Sequence, residues 1–300
     1  MTVKFSCEHS IYAFSKDHTP LARVASGSQV EIETYDYFTN QVKSTESFTS
    51  MDWNQINPAT GPIYVDEAKP GDILKVKIEK IELAEEGVMA TGKDLGVMGD
   101  VLDQLYAKSI PIRNGKAIFN DQLSIPLNPM IGVIGVAPAG EAVSCGTPGA
   151  HGGNMDTTLI TEGATLYLPI FVEGALFGLG DLHAAMGDGE IGVSGIEIPG
   201  KVTITLEVIK GYSIPNPMLE NKDSIVTIAS QPTLDEAVKV AVKDMFSFLS
   251  PKMPLSSAEL TMLFSAVGQT QISQVVDPLM TARFVVPKWV LASYSISIFV

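Results

Sequence analysis

The stretch Val24-Ala-Ser-Gly27-Ser-Gln-Val30-Glu-Ile32-Glu-Thr34-Tyr-Asp36 places a glycine turn ahead of alternating apolar and polar residues. Successive side chains of an extended chain point to opposite faces, so a period of two describes a β-strand with one buried and one wet side. The same pattern returns in Lys69-Pro70-Gly71-Asp72-Ile-Leu-Lys-Val76-Lys-Ile78-Glu-Lys-Ile81 and in Pro199-Gly200-Lys-Val202-Thr-Ile204-Thr-Leu206-Glu-Val208. Three such units predict a mostly β body. They are not a sequence repeat, because the spacings differ greatly and little else matches.

Outward from these units, short apolar strands are expected at 116–119, 129–137, 271–276 and 282–286. Pro169 divides 165–168 from 170–172, which argues for an edge strand or a bend there. Residues 87–103 are glycine-rich and read as a long connection, and 52–58 as an irregular loop of the kind that builds sites at strand ends. Helix is expected only late. Thr233-Leu-Asp-Glu236 has capping-box spacing, and Leu234, Ala237, Val238, Ala241, Val242, Met245, Phe246 and Leu249 follow with helical periodicity. Ser256-Ser-Ala-Glu259 opens a second helix that Gly268 can end, with Pro251 and Pro254 between the two. The expectation is one domain over 1–300, with a helical hairpin at about 233–268 inserted in a β fold.

A chain of 300 residues, 45% hydrophobic and 18% charged, can bury a substantial core. The net charge of -14 disfavours nucleic acid and anionic membrane surfaces as partners, since both are bound through clusters of Lys and Arg. Cys7 and Cys145 are too few for a disulfide scaffold and suit a reducing compartment. The first residues lack the apolar run of a signal peptide, and the apolar 289–300 falls short of a membrane span.

Charge is distributed unevenly. Residues 117–200 contain nine Asp and Glu but no Lys or Arg, and 144–200 hold 13 of the 26 glycines. Carboxylates crowded together repel, and each is costly to bury without a counter-ion, so a divalent cation would resolve the imbalance. Gly180-Asp181-Leu-His183 spaces a carboxylate and an imidazole to leave one face of an extended segment. His151-Gly-Gly-Asn154-Met-Asp156 gathers three polar side chains around a flexible diglycine. Gly187-Asp188-Gly189-Glu190 is a tight turn carrying two more acids, with Glu197 beyond. These ingredients suit a hydrolytic metal site.

The strings HGGNMD, GDLHAAMGDGE and SGIEI resemble the signature of the acetamidase/formamidase family, and the similarity extends over essentially the whole chain. It implies a β-sandwich or barrel-like fold and a cytoplasmic, metal-dependent hydrolase of small amides. Asp181 and His183 are then expected as ligands, the histidine as its neutral imidazole, with Glu197, Asp156 and, more remotely, Asp36 completing the set. Asp156 is alternatively the partner that fixes a histidine tautomer. Glu190 is the candidate for moving protons between water and the departing nitrogen, Asn154 for donating to the amide oxygen, and His151 joins them as a catalytic candidate. Imidazole with carboxylates suits zinc, while the extra carboxylates also admit calcium or manganese.

Two other readings compete: a lactam or other cyclic-amide hydrolase using the same site, and a non-catalytic metal- or sugar-binding β-sandwich. A thiol mechanism at Cys145 is disfavoured, because no lysine lies nearby in sequence to assist it. A small amide is the expected substrate, and a homodimer or larger homo-oligomer is expected from symmetry base rates.

Overall fold

The computed structural model describes residues 2–299. Strands dominate it, and the three turn-plus-strand units lie side by side. Ser28–Thr34, Gly200–Ile209 and Ile73–Leu83 pair antiparallel in that order, with Val30 opposite Ile204 and Val76 opposite Leu206. Gly27 and Gly71, in the turns ahead of two of these strands, have φ of 88° and 93°. That left-handed conformation costs glycine little.

From this trio one sheet extends to nine strands. Val3–Phe5 borders Ser28–Thr34, and beyond Ile73–Leu83 come Thr165–Pro169, Met218–Glu220, Ser224–Gln231, Met280–Pro287 and Gln269–Gln274. A second sheet orders Gly152–Asn154, Met130–Gly135, Phe177–His183, Ala59–Val65 and Ser10–Ile11, with Ala22–Val24 also paired to Ala59–Val65. Val30, Ile32, Val76 and Ile204 of the first sheet share one apolar cluster with Ile131, Ile134, Phe177 and Leu179 of the second. The two sheets therefore stack around a common core, a sandwich built from the buried face of each alternating strand.

The helical hairpin is present as Leu234–Leu249 and Ser257–Val267, between Ser224–Gln231 and Gln269–Gln274. Thr233 accepts from the Glu236 amide, and Ser256 forms a full capping box with Glu259. Ala237, Ala241, Met245 and Leu249, spaced every four residues, are the buried stripe of the longer helix. Three of them join a second core with Ile225, Ala229 and Phe284 of the sheet beneath. No helix among the described residues is long and apolar enough to cross a membrane.

Two expectations change. Residues 87–103 do not form one connection, because Glu86–Gly92 is a strand paired with Leu105–Arg113. Its glycine permits a close approach: a Cβ on Gly87 would lie 2.7 Å from the Glu197 carbonyl oxygen. The strand ending at Pro169 is not an edge. It is flanked by Ile73–Leu83 and Met218–Glu220, and backbone pairing continues past the proline, where the Ile170 amide donates to the Asp72 carbonyl and the Gly71 amide to the Ile170 carbonyl.

Candidate metal centre

The strand Phe177–His183 and the segment after it bring the acidic stretch together. The Ile198 amide donates to the Leu182 carbonyl and the Ala184 amide to the Ile196 carbonyl, so His183 and Glu197 face each other as a non-hydrogen-bonded antiparallel pair. Side chains approach most closely at such pairs. His183 Nε2 lies 2.9 Å from Glu197 Oε1, although the two are not aligned for a hydrogen bond. The same nitrogen is 3.6 Å from Asp181 Oδ1 and 3.8 Å from Glu190 Oε1, and Nδ1 is 3.7 Å from Asp156 Oδ1. His183 thus belongs to two groups with ligand spacing, Asp156–His183–Glu190 and Asp181–His183–Glu197, all buried.

The backbone makes room for this crowd. Pairing of Ile131 with Leu182 and Val133 with Gly180 sets Gly132 opposite Asp181. A Cβ on Gly132 would fall 2.5 Å from Asp156 Oδ1 and 2.6 Å from Asp181 Oδ2, so the missing side chain keeps the space between two carboxylates open. Asp156, Asp181 and Glu190 hold φ of 42°, 55° and 48°. A non-glycine residue in the left-handed region is strained unless its surroundings enforce it, and such residues gather at functional sites.

Burial, and then the charge of Asp181, push the Asp156 carboxyl up to about 7. Burial and neighbouring acids also raise Asp181 and Glu190 well above the usual carboxylate range, and burial raises Glu197 likewise. Both imidazole nitrogens of His183, both oxygens of Asp156, both of Glu197 and Oδ1 of Asp181 are buried without a hydrogen-bond partner among the described residues. Buried polar atoms are normally satisfied, and a set of nitrogen and oxygen donors left facing one another is what a cation would satisfy. The residues present fit a divalent ion.

The remaining candidates take different places. Asn154 lines an adjoining cavity, where its Nδ2 donates to Asp277 Oδ2 at 3.0 Å. His151 lies outside both groups, edge-on to Phe14 with ring centroids 5.4 Å apart, and burial lowers its imidazole to about 4. Asp36 also stands outside. Its Oδ1 accepts from the Asn40 amide at 2.7 Å, closing a turn, and burial raises it to about 6. Cys145 is buried with its Sγ 3.5 Å from the Ile11 carbonyl oxygen, and burial pushes the thiol up to about 12. A thiol held protonated is a poor nucleophile. Cys145→Ser is accordingly expected to keep turnover within about tenfold, roughly 1.4 kcal/mol of barrier; near-complete loss with metal retained, in an ammonia-release assay, would overturn that reading.

Three residues escaped sequence reasoning. Asp277 follows Gln269–Gln274, on a loop that the buried Gln274 holds by accepting from the amides of Val276 and Asp277, each at 2.9 Å. An acid followed by Pro278 between two strands was the available signal. Asn57, in the loop 52–58 marked as site-building but not singled out within it, is 2% exposed and lines the cavity with neither end of its amide partnered among the described residues.

Arg283 is the third, and it brings one positive charge to the cation-free stretch 117–200, at Asp188. Its Nη2 donates to Asp188 Oδ2 at 2.6 Å and its Nη1 to Ser273 Oγ at 3.3 Å. Thr158 Oγ1 donates to the other Asp188 oxygen, and Thr157 Oγ1 lies 2.9 Å from Ser273 Oγ. The segments carrying Asp156 and Glu190 are therefore both fastened to the strands that follow the helical hairpin.

A model of the acetamidase/formamidase family matches residues 8–146 and 139–290. Among solved structures, a predicted acetamidase/formamidase from the thermophile Thermoanaerobacter tengcongensis is 56% identical, covers 99% of each chain and superposes with a TM-score of 0.97. An acetamidase from Bacillus halodurans is 44% identical, covering 98% of this chain and 100% of that one, with a TM-score of 0.96. The curated formamidase of Methylophilus methylotrophus is 25% identical over 264 residues, 67% of this chain and 65% of that protein. This chain spans 61% to 65% of the length of the curated relatives it matches.

Proposed function

This chain belongs to the acetamidase/formamidase family, and from that premise we propose that it hydrolyses small primary amides to a carboxylate and ammonia, with a divalent cation held by Asp156, Asp181, His183 and Glu197. The observation carrying this reading is the set of buried donors around His183 that have no hydrogen-bond partner among the described residues. Imidazole and carboxylates together suit zinc, and an oxygen-rich set also accommodates manganese or calcium. When bound, the ion supplies a nucleophilic water near neutral pH and polarises the carbonyl oxygen.

The chain's own groups do the rest. Glu190 lines the cavity beside the proposed ligands, and burial with the nearby acids raises its proton affinity toward the range useful to a general base. It takes a proton from water and returns it to the departing nitrogen. Asn154 is oriented by Asp277 and retains a second N–H to offer the amide oxygen as negative charge grows there. Asn57 carries a donor group and an acceptor without partners among the described residues, the complement of a substrate carboxamide.

The test is ammonia release from formamide and acetamide, run beside elemental analysis. The expected result is a tightly held divalent ion, loss of activity on chelation and recovery when zinc or a similar ion is restored. An active preparation with no bound ion would remove the metal from the proposal, and no ammonia from a metal-loaded preparation, with these two amides or with the larger one named below, would remove the hydrolysis.

A further inference from the structure

The cavity beside the carboxylates has a volume of about 330 Å³. Taking water's share of liquid volume, about 30 Å³, as an upper bound per non-hydrogen atom, acetamide needs at most about 120 Å³. Most of the space would remain unfilled by so small a substrate. Its polar groups, among them Asp181, Glu190, Asp277, Asn154 and Asn57, are accompanied by an aromatic wall.

That wall is a continuous chain of rings. Tyr37 meets Phe38 edge-on at 4.9 Å, Phe38 meets Phe48 at 5.6 Å, and Phe48 meets Trp53 at 5.6 Å with a tilt of 49°. All four line the cavity and come from one segment, 37–53. It includes the Thr45–Ser50 helix, capped by the reciprocal Ser44–Ser47 pair, so the wall is a locally fixed unit. Phe38 and Phe48 are buried in a small core of their own, whereas Trp53 is 46% exposed. Aromatic faces and edges accept a further ring in tilted or offset geometry. Among the described residues no Lys or Arg lines the cavity, and its charges are acidic, so an acyl arm bearing a carboxylate would be repelled.

We propose that this site takes primary amides whose acyl group carries an aromatic ring on a short uncharged arm, with the ring against Trp53 and the carboxamide at the carboxylates. The inference rests on reading the site as an amide hydrolase and names its substrate class. Phenylacetamide, with ten non-hydrogen atoms, needs at most about 300 Å³ by the same measure, which the cavity holds. In its hydrolysis, water's oxygen joins the acyl carbon and the C–N bond breaks; the nitrogen keeps its two hydrogens, gains one proton from water and leaves as ammonia, and water's other proton stays with the carboxylic acid until that ionises.

The experiment measures kcat/KM by ammonia release for formamide, acetamide and phenylacetamide with the full metal-loaded chain, and repeats it with Trp53→Ala. Burying a ring of this size should favour phenylacetamide over acetamide by about tenfold or more. Trp53→Ala should shrink that ratio about tenfold, through KM for phenylacetamide. Acetamide or formamide turned over as efficiently as phenylacetamide would overturn the substrate class while leaving amide hydrolysis intact. A ratio unmoved by Trp53→Ala would overturn the placing of the ring. Ammonia from none of the three would overturn the hydrolase reading, and this inference with it.

Discussion

Glu190→Gln is expected to lower kcat for amide hydrolysis by about 10²-fold or more while the bound ion and the fold are retained. Glu190 sits at the end of Gly187-Asp188-Gly189, where Gly189, at φ 102°, donates its amide to the Ser273 carbonyl and the Val275 amide donates back to the Gly189 carbonyl. Arg283 holds Asp188, so the turn is fixed on both sides and aims one carboxylate at the cavity. Glutamine keeps the size and one acceptor oxygen but cannot take a proton from water at neutral pH. The substitution thereby separates proton transfer from packing. Ammonia-release kinetics with elemental analysis decide the matter. Loss of the ion together with activity would move Glu190 into the ligand set, and full activity with the ion retained would make Glu197 the better candidate.

Gly132→Ala should cost the protein its bound ion and its activity together, with metal content falling below about a tenth of the parent's. The added methyl group would enter the gap between Asp156 Oδ1 and Asp181 Oδ2, at 2.5 and 2.6 Å, distances at which something must move. Both acids have short side chains on left-handed backbone, and the Asp181 carbonyl oxygen, 3.1 Å from the same Cβ, limits retreat. Overpacking of this kind typically costs about 1–3 kcal/mol, which a sandwich with so large a shared core can absorb. Thermal unfolding is therefore expected to show a folded variant, and elemental analysis one that binds little metal. A Gly132→Ala protein with a full complement of ion would mean that the ion sits elsewhere.

The architecture was legible wherever local pattern and final environment agree. The period-two runs at 28–34, 73–83 and 200–209 became neighbouring strands because each buries one face in the same core, and the capped, periodic run from 234 became a helix. Glu86–Gly92 was not legible. Its glycines and small residues carry weak strand preference, and it is a strand because Leu105–Arg113 and the Glu197 segment pair with it. At the site, Asp156, Asp181, His183, Glu190 and Glu197 could be gathered from one cation-free stretch. Asp277 and Arg283 could not, since strands far along the chain bring them in and only tertiary packing sets them beside that stretch. His151 and Asp156 share one short motif yet part company, because the strand Gly152–Asn154 runs antiparallel along Met130–Gly135 and leaves His151 beside Val136 but Asp156 beside Gly132.

The left-handed backbone at Asp156, Asp181 and Glu190 sets heat tolerance against activity. Each of these positions combines a carboxylate that is costly to bury with a conformation that disfavours a side chain by about 1–2 kcal/mol. Glycine would relieve both penalties at once, and asparagine the charge and part of the strain. Laboratory evolution guided by thermal survival alone would drift toward such replacements, and robust but inert lineages would result. A library intended to yield a hardier catalyst from this scaffold has to be selected for turnover from its first round.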